Sequence, residues 1–346
     1  MKGIPTLAAT SAAVTAMLAT PALAQDAAGF YKGRTVEVVI SYGAGGGYDT
    51  YGRLAARHIG RHIPGAPTVI VKNMPGAGGL VGANHLYNVA PRDGSVMGEI
   101  NQNAALGQAL GTKGIQYDVR RFTWIGRITS NVEVFHTWHT APARTIEDAF
   151  KGEVIAGGTG PTSSSVVMPR VLNQLLGTKF RPVSGYKGGK DVTLAMQRGE
   201  VHGGVRPWAV LKSNHADWLS GKQVHLLVQF ALERHPDIAD VPTAIDLART
   251  DEARAVLKLL ASGSAMGRSL MAPPELPAAR AAALRAAFDA AMKDPKLIAE
   301  AARAKLEIDP MPGARLAEVA AGVFDAPPAV IEKAAALTAK PKKAKK

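Results

Sequence analysis

Val36-Glu-Val-Val-Ile-Ser-Tyr-Gly-Ala-Gly-Gly-Gly-Tyr-Asp49 joins a β-branched run to a glycine loop and then to a helix-periodic segment. Val36 to Ile40 predicts a buried strand. Beyond Gly47, the apolar positions Tyr51, Leu54, Ala55, Ile59 and Ile63 share one helical face until Pro64-Gly65 stops the run. The device recurs, with a strand over Thr68 to Val71, a turn at Pro75-Gly-Ala-Gly-Gly79 and a helix over Leu80 to Ala90. A glycine loop feeding a helix presents backbone N–H groups and the positive end of the helix dipole, which suits an anion. Glycines also simply permit tight strand-to-helix turns, so one loop decides nothing. Two in succession, with a third at Gly157-Gly-Thr-Gly-Pro-Thr-Ser-Ser-Ser165, favour a convergent anion pocket.

Strand–helix alternation continues outward from this stretch and predicts an α/β chain with mainly parallel sheets flanked by helices. Ligands of such sheets bind beyond the carboxyl ends of the strands, where the glycine turns lie. After Pro91-Arg-Asp-Gly94 comes a strand over Val96 to Ile100, then an apolar strand pair at Phe122 to Gly126 and Val132 to Trp138. A second α/β unit follows. Its strand is Val154 to Ala156 and its helix Ser163 to Leu176, with Ser163, Ser164 and Ser165 all suited to capping. Phe180 to Val183, Lys190 to Arg198, Val201 to Val205 and Gln223 to Phe230 read as strand, helix, strand and returning strand. Asp240-Val-Pro-Thr243 is expected to start a helix. Asp251 to Leu260, Pro277 to Lys293, Lys296 to Lys305 and Gly313 to Thr338, broken at Pro327-Pro328, are helical.

The ends carry addresses rather than fold. Lys2, the apolar core Ile4 to Leu18 and Ala22-Leu-Ala24 have the layout of a secretory signal cleaved before Gln25. No later stretch approaches the length of a membrane span. The 322 residues left of 346 suffice for two domains. A hydrophobic content of 47% argues against disorder, and the absence of cysteine removes disulfides, thiolate metal sites and a lipidated anchor. An exported, freely diffusing protein is expected, without stable membrane insertion. Of the net charge of +13, six units belong to Lys2 and the lysines of the tail 339–346, which reads as a basic disordered end. The remaining seven suit an anionic ligand or surface; nucleic acid is not expected of an exported chain lacking a basic-aromatic platform.

Catalytic and cofactor patterns are missing. Gly43-Ala-Gly-Gly-Gly-Tyr48 places tyrosine where a dinucleotide fingerprint needs glycine or alanine, and no GK[ST] P-loop follows. Gly160-Pro-Thr-Ser-Ser164 is not a G-x-S-x-G elbow, which disfavours an exported serine hydrolase. His58 and His62 are spaced like a zinc pair, but Ile59 stands where the metalloprotease pattern has glutamate, so both are expected on the helix surface. No metal, no cofactor and no enzymatic activity are expected.

At Gly45-Gly-Gly47 with Asp49, Asn73-Met-Pro-Gly-Ala-Gly-Gly79 with Ala83, and Ala90-Pro-Arg-Asp-Gly94, the chain resembles the substrate-binding receptors of tripartite tricarboxylate transporters, the Bug-type receptors. Gly158-Thr-Gly160 with the serine run, Tyr186-Lys-Gly-Gly189, Gly199-Glu-Val201, Asp240-Val-Pro-Thr243, Ala272-Pro-Pro and Lys293-Asp-Pro295 continue the likeness in order, over roughly residues 30–335. The resemblance implies a periplasmic, monomeric, two-lobed receptor that closes like a clamshell on a small organic mono-, di- or tricarboxylate. It would hand this ligand to membrane permease subunits, or, alternatively, present its bound form to a two-component sensor kinase. The first lobe would comprise residues 25–128 and 230–338, and the second 129–229. In such receptors backbone amides and hydroxyls hold the carboxylate.

The residues expected at the ligand are Tyr42, Gly43, Ala44, Gly45, Gly46, Tyr48, Asp49, Gly76 and Ala77 on the first lobe. Thr159, Gly160, Thr162, Ser163, Ser164, Tyr186, Asp191 and Arg206 are expected on the second. Asp49 either caps its helix or receives an amine or hydroxyl of the ligand. Tyr186 and Asp191 serve either a turn or the ligand. Arg206 either pairs with a distal carboxylate or lies on the surface, and Trp208 either stacks on an aromatic ligand or fills the core. The family's usual phenylalanine or proline before the first loop is replaced by Ser41-Tyr42, and His202 stands where aspartate is frequent, so the ligand cannot be borrowed from better-known members.

Overall fold

Alternation in the first strand divides its side chains between two layers of core, and that division sets the architecture. A computed structural model describes residues 27–159, 163–186 and 188–339. In chain order the first sheet is begun by β1 (Thr35–Ile40), α1 (Gly47–Ile59), β2 (Thr68–Asn73), α2 (Leu80–Asn88), β3 (Val96–Glu99), α3 (Ala104–Ala109) and β4 (Thr123–Thr129). The chain then builds β5 (Glu133–Trp138), α4 (Ile146–Lys151), β6 (Val154–Gly158), α5 (Ser164–Leu176), β7 (Phe180–Ser184), α6 (Gly189–Gln197), β8 (Gly203–Pro207), α7 (Trp208–Asn214), α8 (Ala216–Ser220) and β9 (Val224–Phe230). It ends with α9 (Asp251–Met266), β10 (Arg268–Ala272), α10 (Ala278–Ala291), α11 (Pro295–Arg303), β11 (Met311–Pro312), α12 (Gly313–Gly322) and α13 (Pro328–Thr338).

Two mixed sheets result, ordered β11-β4-β10-β3-β1-β2 and β7-β6-β8-β5-β9. β1, β2 and β3 run parallel, as do β6, β7 and β8. Strand β10 is antiparallel to β3 and β4, and β5 is antiparallel to β8 and β9. The two strands expected to pair with each other, β4 and β5, therefore belong to different sheets. Between them the chain crosses in the three residues 130–132, and it returns after β9.

Val36, Val38 and Ile40 of β1 pack with Leu54 and Ile59 of α1 and with Leu284 and Phe288 of α10, all buried. Val39 faces the opposite layer with Ala83 and Leu86 of α2. The C-terminal helices thus complete the first sheet's core. Gly126 in β4 allows the closest approach, since a Cβ there would lie 2.1 Å from the Phe288 ring.

Two local expectations are corrected. Asp240 to Thr243 forms no helix; Gln229 of β9 donates its amide to Pro242 and accepts from Ala244, so the edge of the second sheet recruits this backbone. The residue before Pro242 also disfavours helix. His58 is buried rather than on the surface, with Nε2 2.6 Å from Glu300, and the half-buried His62 lies 2.9 Å from Asp294. His58 fastens α1 to α11, and His62, in the turn just beyond α1, reaches the cap of α11, roles that their spacing alone does not reveal. Strand β10 and the short helices α3, α4, α7 and α8 carried no sequence signal that was read.

Phe288→Ala would open a void against Gly126 and remove the largest apolar group beneath β4. Chemical denaturation should show a loss of about 3–5 kcal/mol; a loss under 1 kcal/mol would mean the C-terminal helices do not complete this core.

Candidate functional site

The parallel strands of both sheets end at Ile40, Asn73, Glu99, Gly158, Ser184 and Pro207. Pairing brings two further residues to the same edges. Arg268 opens β10 opposite Thr129, and Glu133 opens β5 opposite both Pro207 and Phe230. Because β4 and β5 are joined by three residues, the two carboxyl edges abut. A cavity of about 140 Å³ lies there, lined by Gln102, Asn103, Asn131, Glu133, Ser164 and Met168, with Phe230 and the α9 residues Leu260, Ala261 and Ser264 as its floor.

The first glycine loop is held from below. Asp49, buried in the first turn of α1, accepts from the Gly45 amide at 2.9 Å, from Arg53 at 2.9 Å and from Asn73 at 2.8 Å. Asn73 also donates to the Tyr42 carbonyl and accepts from Arg53. Burial alone would raise the Asp49 pKa, but Arg53, the Gly45 amide and Asn73 outweigh it and hold it at about 2. Asp49 is thus a loop fastener, with both oxygens engaged. Gly45 adopts the left-handed region at φ 81°, which a side chain would strain. The amides of Gly46, Gly47 and Tyr48 open α1, and no hydrogen bond to them occurs among the described residues. Helix-start amides in this state are donors in search of an acceptor.

Tyr42 and Tyr48 stack at 4.3 Å with planes 11° apart. Tyr42 donates to the Gly78 carbonyl at 2.9 Å and accepts from Asn101 at 2.6 Å, which docks the second glycine turn onto the first. That turn is left-handed at Ala77, Gly78 and Gly79, and Gly76 also has positive φ. The Gln102 amide donates to the Tyr48 hydroxyl at 2.9 Å. Burial raises the pKa of both tyrosines, so they remain neutral donors and acceptors.

Arg268 covers this assembly. Its guanidinium lies 3.9 Å from the Tyr48 ring centroid and donates to Gln102 at 3.4 Å. A Cβ on Gly47 would touch it at 3.4 Å. It makes no ion pair among the described residues. Sequence reading missed this residue because β10 was not anticipated and an isolated arginine after glycine carries no motif. Glu99, at the end of β3, is fully buried with neither oxygen hydrogen-bonded. Burial drives its pKa well up, opposed by Arg268 and reinforced by Asp49. Burial thus disfavours the charged form of Glu99, which makes no ion pair with Arg268 among the described residues.

On the second sheet, Ser164 opens α5 and donates to Glu133 at 2.9 Å. The hydroxyls of Ser163 and Ser165 lie 2.8 Å apart, and the Thr159 amide donates to Ser165 at 3.3 Å. Gly160 and Thr162 lie outside the described residues. Arg206, at the end of β8, donates to the Gly189 carbonyl and to Thr193, both at 2.7 Å, and so clasps the first turn of α6 near Asp191. Tyr186 packs beside the core cluster of Trp208 and Trp218. Trp208 is buried and donates to Asp237 at 3.3 Å, so it fills the core. Thus the first loop, Ser164 and the missed residues Gln102, Glu133 and Arg268 meet at the abutting edges.

A two-lobed α/β fold with donors gathered where the sheets abut defines the periplasmic-binding class of protein. The model of the tripartite tricarboxylate transporter family receptor matches residues 53–334, and the chain belongs to that family. It is 27% identical over 285 residues to a UPF0065 protein from the TAR-I ttuE-ttuC' intergenic region of Agrobacterium vitis, covering 80% of this chain and 76% of that protein. Among solved structures it is similar to a TctC solute-binding protein from Polaromonas (TM-score 0.68, 20% identity, 88% of this chain and 99% of that one). It is also similar to malate-bound MatC of Rhodopseudomonas palustris (0.57, 21%, 87% and 99%) and to an adipate-bound protein of the same organism (0.61, 17%, 88% and 97%).

The Asp49 clasp has a signature in pH. A carboxylate whose folded pKa is depressed stabilises above its unfolded value near 3.8, and this contribution is lost as pH falls through about 2. Asp49→Asn should cost about 2 kcal/mol at neutral pH and flatten the stability profile between those limits in acid titrations followed by circular dichroism. An unchanged profile would remove Asp49 from its role as fastener.

Proposed function

We propose that this protein is a periplasmic receptor that captures a small organic carboxylate and delivers it to the membrane subunits of a tripartite transporter. Residues 1–24 would direct export, and a monomer would bind ligand between lobes built from 25–128 with 230–338 and from 129–229. The observation carrying this reading is Arg268, a cation without an ion pair among the described residues, set against Gly47 and the Tyr48 ring at the start of α1, where the amides of Gly46, Gly47 and Tyr48 are open. A carboxylate between them would gain charge-assisted hydrogen bonds and the favourable end of the α1 dipole. Ser164 at the start of α5 offers a hydroxyl from the facing lobe. Relatives bound to malate and adipate support the ligand class. No helix among the described residues is long and apolar enough to cross a membrane.

Among the described residues the site offers no nucleophile coupled to a base. Ser163 and Ser165 pair with each other, and the buried His136, whose pKa burial lowers to about 3, sits within the sheet opposite Gly204 and Leu226. Binding without turnover is the chemistry this arrangement serves.

A thermal-shift panel of organic carboxylates against their amides tests the reading. A ligand at about a hundred times its dissociation constant adds about 2.7 kcal/mol of stability, a readily visible rise in Tm. Arg268→Ala should weaken that ligand by about tenfold or more while leaving the unfolding midpoint of the free protein within a few degrees. A carboxylate bound equally well by its amide form or by the Arg268 variant would overturn the assignment.

A further inference from the structure

One acid in the cleft has no place in the capture of a simple carboxylate. Glu133 lines the cavity at the junction of the sheets, and only one of its oxygens is engaged, by the Ser164 hydroxyl. No lysine, arginine or histidine forms an ion pair with it among the described residues. Burial raises the Glu133 pKa, opposed by the Ser164 hydroxyl and by Arg268, which lies near without forming an ion pair, so a cation brought by the ligand would be what holds Glu133 ionised. The remaining cavity groups that could meet a ligand, Gln102, Asn103 and Asn131, are neutral amides. When ionised, Glu133 repels a ligand anion unless the ligand brings a cation or a strong donor to meet it.

We propose that the ligand is an amino-carboxylate, its carboxylate held by Arg268 and the Gly46 to Tyr48 amides and its ammonium seated against Glu133. This inference rests on the receptor reading above and narrows its substrate class. The carboxylate and ammonium of such a zwitterion match the cleft in order, a cation on the first sheet and an acid on the second. The Ser164 hydroxyl fixes one Glu133 oxygen and leaves the other directed to the ligand. Lobe closure would then depend on a ligand that bridges both charges. A plain carboxylate would satisfy Arg268 alone, and its approach would leave Glu133 unpaired.

Calorimetry with matched acids provides the test, using alanine, lactate and propionate; aspartate, malate and succinate; and glutamate, 2-hydroxyglutarate and glutarate. In at least one set the amino acid should bind about tenfold or more tighter than its deamino partner, and tighter than the hydroxy acid. Glu133→Gln should reduce that preference to within about twofold, while circular dichroism and residual binding of the deamino acid report an intact fold. Equal or tighter binding of the deamino or hydroxy acids overturns the ammonium assignment and leaves the receptor reading standing. An amino-acid preference that survives Glu133→Gln overturns the role of Glu133. Failure of every carboxylate, in these sets and in the wider panel, removes the receptor reading and this inference with it.

Discussion

The short crossing from Thr129 to Glu133 is the constraint on which the site depends. Three intervening residues cannot carry the chain far, so the end of β4 and the start of β5 must be neighbours. Since β4 runs with β3 and β5 against β8, that proximity brings the carboxyl edges of both sheets together. Every strand-to-helix loop of the parallel strands then empties into one region. A longer crossing would leave the loops of the two sheets without a common region.

Within that region electrostatics is arranged by burial rather than by pairing. Asp49 is charged but wholly consumed by Arg53, Asn73 and the Gly45 amide, so it shapes the loop without repelling an anion. Glu99 is driven towards its neutral form by burial and makes no ion pair with Arg268 among the described residues. Arg268 rests on the face of Tyr48, where cation–π attraction holds a guanidinium without neutralising it. The result is an arginine without an ion pair beside an acid without one, among the described residues.

The fold was legible because local pattern and tertiary role agree. β1 alternates and is covered on both faces, and the glycines after it sit where a left-handed backbone is needed, as at Gly45. The glycine loops and the serine-rich helix start were visible for the same reason. What was hidden depends on partners distant in sequence. Arg268 reaches Tyr48 only because β10 returns to pair with β3 after the whole second sheet has been built. Glu133 looked like an ordinary polar residue before an apolar strand. The buried His58 looked like a surface group because Glu300, its partner, lies 242 residues away. The helix expected at Asp240 to Thr243 failed because β9 captured that backbone, a tertiary claim that local capping signals do not encode.

The division of labour within the cleft follows from what each kind of group can distinguish. Backbone amides at a helix start recognise any anion and cannot be altered by point substitution of their own side chains. They suit the feature common to many ligands, the carboxylate. Side chains such as Gln102, Asn131 and Glu133 are free to vary without disturbing β-sheet or loop, and a charge among them discriminates strongly because an unmet charge in a desolvated cavity is costly. On the proposed reading the glycine loop would define the ligand's class, and the short crossing, which delivers Asn131 and Glu133 into the cavity, is where its identity would be set.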